Sequence, residues 1–400
     1  MNKYLVVKFG GSVLQDQMSI KKCAESVNNA QLQGFKIVVV VSAIKGVTDK
    51  LLSITNAFPN ISSENLDEIL SLGEEQSSLL MEKNLKKLGV DAIAITPNSK
   101  DWPIITDNKH GDAEPLHIQT QSLILKKIKP RLNQNQTPII CGFIGKTVSG
   151  KKTTLGRGGS DTTAVLLANY LNAEVVLVKD TGRIFSGDPK KIKDAIPLSR
   201  LDAEEANMLS SGGAKILHNK VFKQKLNNLN IRIVLIDEDI TKGGTLITGF
   251  SSELEVKISE KPTFLITIIG DLLSKSNNLK LIFSQIANTG IKIISITGDE
   301  KATILYLEGD DPSTLNKIHE IIKEKKIGKA VSDFNNLVKI TIKGKGLETI
   351  PGLIQKITNP LAKQELNIYG IITVHSSINI FVKWIDKEKA KLLIEKEIGL

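Results

Sequence analysis

Two short apolar runs near the start of the chain, separated by one helix-length segment, constrain its fold more than any other feature. The run Tyr4–Phe9 ends at the turn Gly10–Gly11, and the run Ile37–Val41 follows a helical segment over about 19–33. Runs of five or six residues rich in Val and Ile are typical of strands buried in a parallel sheet. A strand, a crossover helix and a second strand form a βαβ unit, whose strand ends lie at one edge of the sheet.

The same alternation continues to about residue 250. Further apolar runs, separated by helix-like stretches, are Ala92–Ile95, Pro138–Cys141, Val175–Val178 and Ile231–Ile236. We therefore predict an α/β sandwich with a mostly parallel sheet over residues 1–250. Ligands bind such folds beyond the carboxyl ends of the strands, which is where the glycine-rich turns of this chain fall.

From about residue 262 the order of elements changes to two consecutive βαββα units. The predicted strands are Thr263–Ile269, Ile291–Thr297, Thr303–Glu308, Leu337–Lys343, Ile368–Val374 and Ile378–Trp384, with helices over 279–286, 313–325, 352–366 and 387–396. Pro360 is expected to break or kink the third of these helices. The pattern is typical of ferredoxin-like α+β modules, which we place at 262–331 and 335–400.

The composition excludes several classes of protein. The chain is 41% hydrophobic and 24% charged, and the run Ile37–Val41 is too short to span a bilayer. The N-terminal residues enter a strand pattern at once, without the apolar segment of a signal peptide. Cys23 and Cys141 are the only cysteines, so a disulfide framework is not expected. We expect a cytoplasmic protein with no membrane association.

The charge pattern favours a small anionic ligand over nucleic acid. The net charge is +10, but the lysines are scattered and aromatic residues make up only 4% of the chain. Only five of the 53 basic residues are arginines, and one of these, Arg157, lies in a glycine-rich turn. A planar, two-pronged donor at that position points to recognition of an anionic group.

The segment TTLGRGGSDTTA, Thr153–Ala164, is the most specific motif. Its glycines let the backbone approach a ligand, and the helix predicted after it, Thr162–Tyr170, offers an N-terminus to an anion. The alternative is that Ser160 or Asp161 merely caps this helix. That alternative leaves the Arg157 side chain among three glycines unexplained.

Several other turns carry polar residues that could act on a ligand. Lys8 precedes the first glycine turn, which lacks the full P-loop signature, and the segment SLGEE places Glu74 near an expected helix start. Further candidates are Ser42, Thr48, Asp180 and Lys215. Each motif alone fits an ordinary turn as well as a site, but together they place charges along one rim of the sheet. The five histidines show no metal-ligand spacing, so no zinc site is expected.

Taken in order, the motifs KFGGSV, VSAIKGVTD, SLGE, GFIG, TTLGRGGSDTTA, KDTGRIFSGDP and GAKILH resemble those of the aspartate kinases, which are amino-acid kinases with C-terminal ACT domains. The resemblance implies an amino-acid-kinase α/β sandwich followed by two ferredoxin-like (ACT) modules. It also implies transfer of the γ-phosphoryl group of ATP, with Mg²⁺, to the β-carboxylate of L-aspartate. The product, aspartyl phosphate, serves lysine, threonine and methionine biosynthesis.

The resemblance also assigns roles to residues of this chain. It implies that Lys8 stabilises the transferred phosphoryl group and that Asp161 organises Lys8 and the substrate. Aspartate contacts are implied for Ser42, Thr48, Glu74, Arg157 and Ser160, with Arg157 binding a carboxylate and Glu74 the ammonium group. The nucleotide is implied to contact Lys8, Gly10, Gly11, Lys179, Asp180, Phe185, Lys190, Lys215 and Ile216. No general base is needed, because the acceptor is already a carboxylate anion.

The chain departs from the family pattern at several positions. Its first turn is one residue shorter than the usual KFGGTSV, Phe185 and Lys190 replace Tyr and Arg, and Asn219–Lys220 replaces the usual Pro-Arg. Two other functions stay open: a related kinase with an N-acetylglutamate-like substrate, and an inactive amino-acid-sensing protein. The ACT modules imply lysine or threonine as effector and a homodimer or higher homo-oligomer, and a strand at 254–259 is expected to pair into the second module.

Overall fold

The chain divides into two units, Met1–Ser251 and Ser252–Leu400. The computed structural model describes residues 3–55, 58, 60–214, 216–226, 228–249, 254–272, 276–344, 347, 350–374 and 376–400. Within these ranges, no helix is both long enough and apolar enough to cross a membrane.

The first unit alternates strands and helices. Its elements are, in chain order, β1 (Lys3–Phe9), α1 (Gln17–Leu32), β2 (Phe35–Val41), α2 (Val47–Thr55), α3 (Ser63–Lys87), β3 (Ala92–Ile95), β4 (Ile105–Thr106), α4 (His117–Leu123), a π-helical turn (Ile124–Ile128), α5 (Lys129–Asn133), β5 (Thr137–Cys141), β6 (Ile144–Thr147), β7 (Lys152–Thr154), α6 (Gly159–Leu171), β8 (Glu174–Lys179), β9 (Arg200–Asp202), α7 (Ala203–Ser211), α8 (Asn219–Gln224), β10 (Ile231–Leu235) and β11 (Thr245–Thr248). The order β3-β5-β2-β1-β8-β10-β11-β9 forms one large sheet. Every neighbouring pair in it is parallel except β10 with β11, which confirms the predicted α/β class.

Helices cover both faces of the large sheet, and β1 shows how the sequence directs them. Leu5, Val7 and Phe9 lie in a core with α1 and α3, whereas Val6 lies in a separate core with α6 and α8. Successive side chains of a strand point to opposite faces. Lys8 therefore follows Val6 onto the α6 face, where it reaches the end of the sheet.

The carboxyl ends of the central strands meet at one edge, as predicted. Phe9 at the end of β1 pairs with Val41 of β2 and with Val178 of β8, and Val41 pairs with Cys141 of β5. The segments that follow these four residues therefore leave the sheet side by side. Their side chains build the candidate site.

The second unit is an antiparallel α+β structure. Its elements are β12 (Glu255–Ile258), β13 (Thr263–Ile269), α9 (Ser276–Ala287), β14 (Ile293–Gly298), β15 (Ala302–Glu308), α10 (Pro312–Lys325), β16 (Ala330–Lys343), α11 (Leu353–Lys363), β17 (Gly370–Val374), β18 (Ser377–Lys383), a 3₁₀ turn (Trp384–Asp386) and α12 (Lys387–Ile398). The strand order is β14-β15-β13-β16-β18-β17, with β12 added on β16. Pro360 does not end α11, which continues through it to Lys363. The proline therefore does not break the helix, and the other predicted outcome, a kink, stays a prediction.

The strand β16 is twice as long as predicted and belongs to both halves of this sheet. Its first part pairs with β13 and its last seven residues pair with β18, all antiparallel. Its end also pairs with β12, so that Glu255 lies opposite Lys343. Asn336, near the change of partner, has a left-handed backbone with φ of 59°. Asn tolerates this conformation better than most residues do.

Candidate active site

A cavity of about 430 Å³ opens where the central strands of the first unit end. It is lined by residues from five places in the sequence: Lys8, Gly11, Ser42, Ala43, Ile44, Lys45, Gly46, Thr48, Asp49, Glu74, Phe143, Gly156, Arg157, Gly158, Gly159, Ser160 and Asp161. All the residues for which the family resemblance implies aspartate contacts lie here. Lys45 and Asp49 were not predicted, although both lie in the VSAIKGVTD motif and their charges could have identified them.

Lys8 and Asp161 form a buried ion pair at the base of the cavity. Lys8 Nζ lies 2.6 Å from Asp161 Oδ1, and Lys179 Nζ lies 3.9 Å from Asp161 Oδ2. Burial by itself raises the pKa of Asp161, but the two ammonium groups outweigh it and hold that pKa below its usual value. Burial also lowers the pKa of Lys179, against the attraction of Asp161. Two cations share one carboxylate here, which leaves positive charge for an anionic ligand.

The turn Leu155–Gly159, which we call the acceptor turn, depends on its glycines. Gly156 and Gly158 have φ of +70° and +74°, values that other residues rarely adopt. Gly158 is the N-cap of α6 and no side chain caps the helix, so the alternative cap role of Ser160 or Asp161 is wrong. The helix begins three residues earlier than predicted. Its first turn therefore presents backbone N–H groups without a side-chain acceptor beside the cavity.

Arg157 lies on the acceptor turn with its side chain exposed at the mouth of the cavity. Across the described part of the chain, the guanidinium has no hydrogen-bond or ion-pair partner. An arginine that braced its own loop would be engaged with neighbouring carbonyl or carboxylate groups. The five donors of this guanidinium are instead available to a ligand.

Glu74 reaches the cavity from the middle of α3, so the prediction that it lies near a helix start is wrong. Gly73 explains the difference: a Cβ atom there would lie 2.8 Å from the Cβ atom of Ala43, so the glycine lets the helix approach the end of β2. Ala43 N–H donates to Glu74 Oε1 at 3.1 Å. Glu74 Oε2 is buried without a hydrogen-bond partner among the described residues.

The environment of Glu74 makes its carboxyl group a weak acid. Burial raises its pKa from 4.5 to about 7, while the Ala43 N–H group and the Lys8 charge act in the opposite direction. A buried carboxylate with one unpaired oxygen is stabilised by a cation that enters the cavity. A ligand ammonium group fits this requirement.

Of the described residues assigned to the nucleotide, Lys8 and Gly11 line this cavity and the others do not. Lys179 Nζ donates to the carbonyl oxygen of Ile216, and Ser12 Oγ donates to Asp180 Oδ1 at 3.2 Å. Phe185 forms an isolated β-bridge with Pro197, and Lys190 is exposed. Lys215 lies outside the described residues. Contacts of Phe185 and Lys190 with a nucleotide stay predictions.

The donor set of this edge fits Mg²⁺ that arrives with a nucleotide. No group of three His, Cys, Asp or Glu side chains within the described ranges is arranged to hold a metal ion. Mg²⁺ commonly takes one or two carboxylates together with phosphate oxygens. Asp180 is exposed at the end of β8 and is available for that role.

Comparison with known proteins agrees with this geometry. The sequence profile of the amino acid kinase family matches residues 3–237, and that of an ACT domain matches residues 335–394. The aspartokinase of Geobacillus stearothermophilus is 30% identical over 379 residues, covering 91% of this chain and 89% of its own.

Two proteins of known structure share the fold. The aspartate kinase from Synechocystis has a TM-score of 0.76 at 22% identity, covering 99% of this chain and 69% of its own. E. coli aspartokinase III, in complexes with aspartate and ADP or with lysine and aspartate, has a TM-score of 0.55 at 23% identity. The matches cover 100% and 99% of this chain and 100% of theirs. The chain belongs to the amino acid kinase family and, within it, to the aspartokinases with a C-terminal ACT domain.

Proposed function

We propose that this enzyme transfers the γ-phosphoryl group of ATP to the β-carboxylate of L-aspartate, giving 4-phospho-L-aspartate and ADP. The observation that carries the proposal is the presence of two oppositely charged side chains, each available to a ligand, in one cavity. Arg157, without a partner, lies on the acceptor turn, and Glu74, with one unpaired oxygen, lies in the same cavity lining. This arrangement complements an amino acid with a carboxylate and an ammonium group, and leaves its second carboxylate for Lys8.

The reaction needs orientation and charge neutralisation more than proton transfer. An oxygen of the β-carboxylate forms the new P–O bond as the bond between the γ-phosphorus and its bridging oxygen breaks, and the electron pair leaves with ADP. Lys8 and Lys179 neutralise charge on the phosphoryl oxygens, while Asp161 holds both ammonium groups in place. Mg²⁺ on the phosphates supplies further neutralisation when the nucleotide is bound, and Asp180 would hold it.

We place the catalytic domain at residues 1–250 and regulatory ACT modules at 262–331 and 335–400, the second including the strand at 254–259. We propose a feedback role for these modules, with lysine or threonine as effector. The complex of E. coli aspartokinase III with lysine and aspartate supports lysine as a ligand. The proposed setting is the first step of lysine, threonine and methionine biosynthesis, in the cytoplasm, by a homodimer or higher homo-oligomer. The two cysteines, which are free and buried, fit a reducing compartment.

A coupled assay of ADP release tests the acceptor. It is run with L-aspartate, with N-acetylglutamate and without acceptor, and hydroxylamine traps any acyl phosphate. Release and trapping with aspartate alone support the proposal. Activity with N-acetylglutamate instead would identify the related kinase, and no activity with either acceptor would identify an amino-acid sensor.

A further inference from the structure

A buried lysine outside the cavity holds the acceptor turn in place. The Lys220 side chain is only 8% exposed. Its ammonium group donates to Leu155 O at 2.9 Å, to Ala113 O at 3.1 Å and to Asp112 Oδ1 at 2.9 Å. These contacts use all three of its donors. Leu155 directly precedes Gly156 and Arg157, so one cation fixes the point at which the turn leaves β7.

The same neighbourhood restrains the glycines of the turn. A side chain at Gly156 would collide with Asp112 Oδ1, and a Cβ atom at Gly158 would lie 2.5 Å from the Cβ atom of His218. Asp112 and His218 thus contact the turn closely at two different glycines. Both glycines have positive φ, and glycine can adopt many other backbone conformations. The contacts with Asp112 and His218 therefore restrict a turn that would otherwise change conformation easily.

The segment Ile216–Lys220 also reaches the residues assigned to the nucleotide. Its first residue, Ile216, accepts a hydrogen bond from Lys179 Nζ. Its last residue, Lys220, donates to Leu155 O of the acceptor turn. Within the segment, Lys220 N–H donates to His218 Nδ1 at 3.3 Å. Val221 and Phe222, which follow directly, are buried in the core and anchor the segment. Five residues therefore connect Lys179 to Arg157.

We propose that Lys220 is a positioning residue that fixes the acceptor turn, and that the segment Ile216–Lys220 couples nucleotide binding to acceptor binding. The inference rests on the proposed function for the identity of the two ligands. A nucleotide that orders Lys179 and Ile216 reduces the motion of the segment Ile216–Lys220. The hydrogen bond from the Lys220 ammonium group to Leu155 O then reduces the motion of the acceptor turn. Binding of either substrate then favours binding of the other, as linkage requires.

The test uses three variants of the full chain. Lys220→Met removes the ammonium and keeps much of the side-chain volume, while Lys220→Arg keeps the charge. Lys223→Met is the matched control, because Lys223 lies on the same helix but is 58% exposed, and its ion pair among the described residues is with Glu114 at 3.3 Å. If Lys220→Met does not fold, Asp112→Asn weakens the same anchor at a side chain that is 54% exposed.

Two measurements separate positioning from general stability. In the ligand-free protein, tryptic cleavage after Arg157 should rise about tenfold in Lys220→Met, because buried hydrogen bonds are lost. The Kd of ADP alone should stay within about twofold, whereas the Kd of aspartate should rise roughly 10- to 100-fold and no longer improve when ADP is added. Lys220→Arg should restore both properties and Lys223→Met should change neither.

Wild-type cleavage at Arg157 and retained coupling in Lys220→Met would overturn the inference, as would equal losses of ADP and aspartate affinity. The proteolysis is independent of the acceptor. If the wild-type protein does not bind aspartate but cleavage after Arg157 still rises in Lys220→Met, the proposed function fails while the anchoring role stands.

Discussion

Replacing Glu74 by Gln should stabilise the ligand-free protein and at the same time weaken aspartate binding. The difference between a pKa of 4.5 and one of about 7 means that the ionised carboxyl group costs the folded state roughly 3 kcal/mol at high pH. Gln carries no charge and can still accept the hydrogen bond from Ala43 N–H. The variant therefore avoids this cost and loses the partner of the substrate ammonium group.

The difference in stability between the wild type and Glu74→Gln should depend on pH. Between pH 4.5 and about 7 the folded wild-type protein binds the Glu74 proton more tightly than the unfolded chain does. Its free energy of unfolding therefore falls as pH rises through this window and levels off above it. The Gln variant lacks this slope. Its advantage should be about 3 kcal/mol at pH 8 and less than about 1 kcal/mol at pH 5.

Urea unfolding of the ligand-free protein at both pH values measures this difference. A Trp384→Phe background leaves Trp102, which is buried in the first unit, as the single tryptophan reporter. Glu75→Gln is the matched control on the same helix: it removes a partner of buried Lys152, 2.7 Å away, and should destabilise. No gain at pH 8 for Glu74→Gln, or an equal gain at pH 5, would refute the reasoning.

The pH dependence of aspartate kcat/KM should also follow the ionisation of Glu74. Aspartate kcat/KM of the wild type should rise with pH up to about 7 and then level off, because only ionised Glu74 pairs with an ammonium group. In Glu74→Gln this rise should be absent. The loss of a charge-assisted hydrogen bond should lower aspartate kcat/KM roughly 10- to 150-fold at pH 8.

Three further predictions address the other assigned groups. Lys8→Met should lower kcat about 10²- to 10³-fold, since a preorganised charge at the transferring phosphoryl group is lost, and a near-normal kcat would remove Lys8 from the mechanism. Arg157→Lys keeps the charge but loses the planar fork, so aspartate kcat/KM should fall roughly 10- to 150-fold with the KM of ATP unchanged; parallel losses for both substrates and in Tm would indicate a structural role. Lysine or threonine should shift the apparent aspartate affinity about 5- to 150-fold in steady-state assays, and if no aspartate-derived amino acid alters activity or Tm, the ACT modules serve assembly only.

Local patterns in the sequence were sufficient for most of the fold. Strands such as β3 and β13 were predicted with their observed bounds, because each is a short apolar run that ends at a turn. The clustering of the candidate residues was predicted for a related reason, whereas their roles as aspartate contacts were implied by the family resemblance. In a parallel sheet the residues after successive strands must gather at one edge, so motifs far apart in sequence could be placed together.

The errors arose where a distant contact decides the local structure. The glycine of SLGE reads as a turn, but Gly73 lies inside a 25-residue helix and is small because Ala43 packs against it. Ser160 reads as a helix cap, but Gly158 takes that position with a positive φ that only the folded turn requires. The contacts of Lys220 with Ala113 and Leu155 span up to 107 residues, and no local pattern reports them.

The strand β16 pairs with β13 along its first part and with β18 along its last part. This limits how the second unit can respond to a bound effector. The pairing of β16 with β13 begins at Ala330 and shifts register between Thr263 and Leu265, whereas its pairing with β18 runs without a shift from Leu337 to Lys343. A slip of one residue against either neighbour would turn every side chain of the strand to the opposite face, exposing Val338 and Ile340 and burying Lys339. Sliding of β16 is therefore a costly response to an effector. A fragment that ends before Leu337 would lack the whole β18 ladder, and one that begins there would lack almost all of the β13 ladder.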